Sequence, residues 1–178
     1  IGAFTGGATI SAAQGLIESG SSQRMLTVEI GSNYNDNGVL CTHDYSAHVN
    51  GLNSDNLFYK LWTNLVSFNV EHKVNIFETN FLNRNFLEYA LIPYIEKNPL
   101  GLIILDSDGQ VEGDLDILLP YANSGCYIMV DDYMMHSHYA GDGDKATPSQ
   151  KAVHKLINSG KALSLGVYKW TTWFGYIK

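Results

Sequence analysis

Acidic side chains stand at the ends of four apolar runs in this chain of 178 residues. "LTVEIG" carries Glu29, "KVNIFETN" carries Glu78 with Thr79 and Asn80 behind it, "LIILDSDG" carries Asp106 and Asp108, and "CYIMVDDY" carries the adjacent Asp131 and Asp132. Carboxylates gathered at one place repel one another, so the arrangement is costly unless a cation or the donors of a ligand compensate it. The opening, "IGAFTGGATI", sets Gly2, Gly6 and Gly7 before a run of small residues. Glycines bunched before a helix let backbone approach a ligand closely, or they simply form a tight turn.

The elements that must position these groups are readable from periodicity. The four runs above read as strands, and "ALSLGVYKW" and "TTWFGYIK" add two more at the end of the chain. Between them "SAAQGLIESG", "NLFYKLWTNLVSFNV", "NFLEYALIPYIEKN", "GDLDILLPYANSG" and "PSQKAVHKLINSG" read as helices, the third broken or begun near Pro93, the last opened by Pro148 and closed by Gly160. Leu57, Leu61, Leu65 and Phe68 fall on one helical face, with Phe58 and Trp62 beside it, as a core stripe. Strands alternating with helices predict a Rossmann-like, doubly wound α/β fold with a mostly parallel sheet and a final antiparallel strand. In such sheets ligands sit beyond the carboxyl ends of the strands, where the acids are.

The length and the 45% hydrophobic content suit one domain over 1–178. A formal charge of -7 without a basic cluster argues against a nucleic-acid partner. Without a long apolar run the chain reads as soluble, with no membrane partner. Cys41 and Cys126 are far apart and in no ligand-like spacing, which favours a reducing, cytoplasmic setting. Residues 32–56 form a polar insertion rich in Asn, Ser and Gly, a candidate lid to which His43, Asp44, Tyr45 and His48 would contribute; 133–147 is a second polar loop.

"IGAFTGGAT", "LTVEIG" and "LIILDSDGQVEGDLDILLPYANSGCYIMVDDY" together resemble the class I S-adenosylmethionine-dependent methyltransferases, in the metal-dependent branch of the catechol and macrocin O-methyltransferases. The resemblance implies an enzyme that transfers a methyl group to a hydroxyl of a small polar molecule, a sugar or secondary metabolite, and allows a homo-oligomer. It places S-adenosylmethionine against Gly2, Phe4, Gly6, Glu29, Ile30, Thr79, Asn80 and Asp106, with Glu29 accepting from the ribose hydroxyls. It makes Asp106, Asp131 and Asp132 the ligands of a divalent metal. A set of carboxylates without Cys or His suits magnesium, with manganese or calcium as substitutes, and a cation so held lowers the pKa of an acceptor hydroxyl.

The chain departs from that pattern in two ways. Gly109 stands where related enzymes carry a basic side chain, which leaves His136 and His138 as candidate bases beside Asp106 in the catalytic set. Ile1 falls at the end of what would be a central strand, so an upstream segment is expected to be missing from the sequence. Two other readings compete. Asp106-Ser107-Asp108 also looks like the Asp-x-Asp of nucleotide-sugar glycosyltransferases, though that reading gives the glycine loop and the Asp131/Asp132 pair no task. A non-catalytic module of the same fold would bind no metal. "GAFTGG" lacks the G-x-G-x-x-G of nicotinamide enzymes, and Ile117 stands where a calcium loop begun at Asp106 needs Glu.

Overall fold

The computed structural model describes residues 1–3, 6–29, 57–78, 81, 83–107, 110–131, 133–134, 146–169 and 171–178. These belong to two compact units, Ile1–Asn83 and Arg84–Lys178. Among the described residues no helix is long and apolar enough to cross a membrane.

The first unit runs α1 (Gly7–Glu18), β1 (Met25–Glu29), α2 (Leu57–Ser67), a 3-10 turn at Glu71–Lys73 and β2 (Val74–Glu78). β1 and β2 pair in parallel from Met25↔Val74 to Glu29↔Glu78, so both strands end at the same level. Ile10 and Ala13, one turn apart on α1, pack with Leu61 and Leu65 of α2 and with Val70 and Val74. Leu61 and Leu65 are fully buried, as the core stripe predicts. Phe68 is 56% exposed instead. It lies beyond the helix, where the amides of Asn69 and Val70 bond back to Val66 and Leu65 and Asn69 takes a φ of 55°. That left-handed cap turns the chain off the stripe and buries Val70 in place of Phe68. Trp62, on the flank of the stripe, is also exposed.

The second unit opens with a helical stretch, α3, in which a π turn at Leu87–Leu91 joins Arg84–Phe86 to Ile92–Lys97. The π turn ends two residues before Pro93, whose ring and missing N–H would disrupt a regular α-helical ladder there. Then follow β3 (Leu100–Leu105), α4 (Val111–Leu118), a 3-10 turn at Leu119–Tyr121, β4 (Ala122–Val130), α5 (Ala146–Asn158), β5 (Ala162–Tyr168) and β6 (Thr171–Tyr176). The sheet order is β3-β4-β6-β5. β3 and β4 are parallel, while β6 runs antiparallel to both β4 and β5, which is the expected final antiparallel strand.

Two boundaries differ from the sequence reading. Within "YANSG" the helical stretch ends at Tyr121: β4 begins at Ala122, and its pairing with β3 jumps from Leu100↔Ala122 to Leu102↔Tyr127. The extra β4 residues are taken up in an irregularity that contains Gly125 at φ 85°. α5 begins at Ala146, two residues before Pro148, which a first helical turn tolerates because its N–H would lack a partner anyway. Leu105, Ile128, Val130 and Phe174 are fully buried at the centre of this sheet.

Candidate functional site

In the first unit the chain enters alongside β1. The Gly2 amide donates to the Val28 carbonyl at 3.2 Å, and the Gly6 amide donates to Ala3 at 2.8 Å, closing a turn that leads into α1. Gly2 and Gly6 have φ of 71° and 97°, a region closed to most side chains. At Gly6 a Cβ would lie 2.7 Å from Cδ1 of the buried Leu61. Packing of α2 under the turn is therefore one physical reason for that glycine. Gly6 caps α1 without a side-chain bond, so its first amides are free of a side-chain cap. Glu29 ends β1, one residue beyond the carbonyl that holds Gly2, and is only 3% exposed. A carboxylate so placed makes strong hydrogen bonds in surroundings of low dielectric. The other cofactor positions expected from the sequence, Phe4, Ile30, Thr79 and Asn80, lie outside the described residues.

In the second unit the parallel register sets Leu105 opposite Val130. Asp106 and Asp131, the next residues of each chain, therefore leave adjacent strand ends side by side. The Asp131 amide donates to the Leu105 carbonyl at 2.9 Å, which extends the pairing by one residue. Thr171, at the start of β6, donates from its hydroxyl to Oδ1 of Asp131 at 2.6 Å. Asp106 is exposed and Asp131 half-buried. Carboxylates such as these two are the kind of oxygen donor that hard divalent cations take. Asp132 lies outside the described residues, as do His136, His138, Asp108 and Gly109, and so do the whole of 32–56 and most of 133–147. Among the described residues no cluster of three His, Cys, Asp or Glu could hold a metal ion.

Three groups near these strand ends escape the sequence reading. Thr171 is far from Asp131 in the chain, and only the antiparallel pairing of β4 with β6 brings it there. Tyr133 meets Nε2 of His154 at 2.9 Å, and its carbonyl accepts from Gln150 Nε2 at 2.8 Å, both from α5. Asp114, on the first turns of α4, is 2% exposed, and burial pushes its carboxyl above the ordinary 3.8, with the Ser107 hydroxyl working the other way. Ser107 Oγ and Asp114 Oδ2 are both buried without a well-formed hydrogen bond, so the Ser107 hydroxyl offsets the effect of burial only in part. An acid inside an amphipathic helix normally reads as a solvated position, so no local signal marks Asp114.

No family model matches the chain. A curated relative, "Metallo-beta-lactamase domain-containing protein 1" of Xenopus laevis, is 25% identical over 130 residues, which is 70% of this chain. The chain matches 48% of that protein, about half its length. Among solved structures, cofactor-bound Rv0187 from MTB superposes with a TM-score of 0.63 at 17% identity, covering 99% of this chain and 69% of that one. The O-methyltransferase NovP gives 0.61 at 16% identity over 98% and 69% of the two chains. The O-methyltransferase TomG from Streptomyces achromogenes, solved in complex with SAM, gives 0.56 at 13% identity over 96% and 80%. The chain has the Rossmann-like fold of the class I S-adenosylmethionine-dependent O-methyltransferases.

Proposed function

We propose that the chain is the catalytic part of an S-adenosylmethionine-dependent O-methyltransferase whose acceptor is a hydroxyl of a small polar molecule and whose divalent cation is held at Asp106, Asp131 and Asp132. The observation that supports it is the register that sets Asp106 beside Asp131 at parallel strand ends, on a fold whose solved neighbours include SAM-bound O-methyltransferases. The curated relative carries less weight, because its 25% identity extends over 130 residues while the structural likeness spans nearly the whole chain.

In this reading Glu29 accepts the ribose hydroxyls, and the turn at Gly2 and Gly6 gives the methionine portion room beside α1. A bound divalent cation would make the acceptor hydroxyl more acidic and fix its direction. Thr171 and the Leu105 carbonyl hold Asp131 in place. The acceptor oxygen attacks the sulfonium methyl in line. The C–O bond forms as the C–S bond breaks, the electron pair stays on sulfur, and the hydroxyl proton passes to a base, for which His136 and His138 are the candidates. The protein's task is mainly alignment, since the donor already carries its charge.

Calorimetry with S-adenosylmethionine tests the cofactor half. Glu29→Ala should bind about tenfold more weakly or worse, the loss of one or two charge-assisted hydrogen bonds. Equal affinities for the variant and the parent protein would sink the assignment. Divalent-metal titration and methyl-transfer assays on hydroxylated acceptors test the other half, with Asp131→Asn expected to lose both metal and activity. If Asp108→Asn loses metal while Asp131→Asn keeps it, the glycosyltransferase arrangement is the right one.

A further inference from the structure

We infer that His154 and Gln150 of α5 are positioning residues for Asp131, acting through Tyr133; the inference rests on the cation-binding reading above.

Asp131 is already held on one side, by the Leu105 carbonyl at its amide and by Thr171 at its carboxylate. Two residues further on, Tyr133 is fastened to α5 at both its ends. Its main-chain carbonyl accepts from Gln150, while its phenol shares a hydrogen bond with His154. The two rings also stand edge to face, with centroids 6.1 Å apart and planes at 88°. Gln150 and His154 are four residues apart and so present one face of the helix. The neighbouring positions Ser149 and Val153 are fully buried and anchor that helix in the unit.

Two residues span at most about 7 Å, so where Tyr133 is held limits where Asp131 can lie. Asp131 is thus held from β6 and Tyr133 from α5, which is the support a ligating carboxylate needs to stay within about 0.5 Å of its working position. The clamp itself lies at the surface: His154 is exposed and Tyr133 half-buried. Hydrogen bonds there add little to global stability, so their effect should show locally.

The test is Mn2+ binding by calorimetry and by electron paramagnetic resonance on the whole chain, with melting temperature and S-adenosylmethionine affinity measured alongside. Variants are Tyr133→Phe, His154→Phe, His154→Gln and Gln150→Leu. Loss of one hydrogen bond should weaken Mn2+ binding about three- to tenfold in His154→Phe and in Gln150→Leu, with melting and cofactor affinity unchanged. His154→Gln should restore it by offering a polar group near the phenol. Tyr133→Phe combined with His154→Phe should lose no more than either alone, because both break the same bond. Mn2+ binding unaltered in His154→Phe and Gln150→Leu overturns the inference, as does a loss that His154→Gln fails to recover. If the unmutated chain takes up no Mn2+ at all, the cation reading fails and this inference with it, an outcome distinct from failure of the clamp alone.

Discussion

Thr171 donates a 2.6 Å hydrogen bond to Oδ1 of Asp131 and so joins the first residue of β6 to the residue that leaves β4. The antiparallel register, with Val130 opposite Thr172, brings the two side by side. A carboxylate that spends one oxygen on a fixed hydroxyl has its remaining lone pairs oriented for a ligand. Thr171→Val keeps the shape of the strand residue and removes only that donor. A hydrogen bond to a charged group is worth about 1.5 to 3 kcal/mol. At the cation site proposed above, divalent-cation affinity in Thr171→Val should therefore fall about tenfold or more, with Thr171→Ser close to the unmutated chain. Titration of both variants with Mn2+ checks this, and equal binding by Thr171→Val would remove Thr171 from the site.

Gly6→Ala should destabilise the first unit. The left-handed φ of 97° costs an L residue about 1 to 2 kcal/mol, and the new methyl would press on the side chain of Leu61, which is fully buried. The expected loss is about 1 to 3 kcal/mol in denaturant unfolding. Gly7→Ala is the control, since a Cβ at Gly7 meets nothing within 4 Å.

Asp114→Asn should stabilise the protein near neutral pH. The folded carboxyl is pushed above 3.8 by burial, so its neutral form contributes stability that is fully present below that value. This contribution is lost as the pH rises through the raised folded value, where the folded chain must carry a buried charge. Asn resembles the neutral acid at every pH. Melting curves should place the variant above the parent chain near neutrality, and the gap should close in acid. A variant that is less stable near neutrality would show that the carboxylate is paired there.

Cys126 should be inert in the folded protein. It is 1% exposed, and burial pushes its thiol up to about 11, so almost no thiolate is present near neutrality. Alkylation followed by peptide mass spectrometry should leave Cys126 unmodified in the native chain and label it fully in denaturant. Labelling under native conditions would mean that the β4 core opens.

Local pattern made much of this fold legible. The described strands and the helices between them follow from apolar runs and helical spacing, and Leu61 and Leu65 are buried where a period of 3.6 places them. The strand-end places of Glu29, Asp106 and Asp131 were equally readable, because an acid closing an apolar run marks the carboxyl end of a buried strand. Glycine and asparagine caps mark where helices stop, but the exposure of Phe68 shows that a single left-handed residue, Asn69, can override a stripe that continues on paper.

Pairing between distant segments belonged to the tertiary structure. The early start of β4 depends on an irregular register with β3, which no residue of "YANSG" announces by itself. Thr171 reaches Asp131 across forty positions of sequence, and His154 reaches Tyr133 across twenty-one. Asp114 becomes a buried acid only because α4 turns that face inward. Periodicity and capping act over a few residues and are written in the chain; register, helix orientation and the burial of a polar group are set by which surfaces exclude water together, and the folded structure alone decides that.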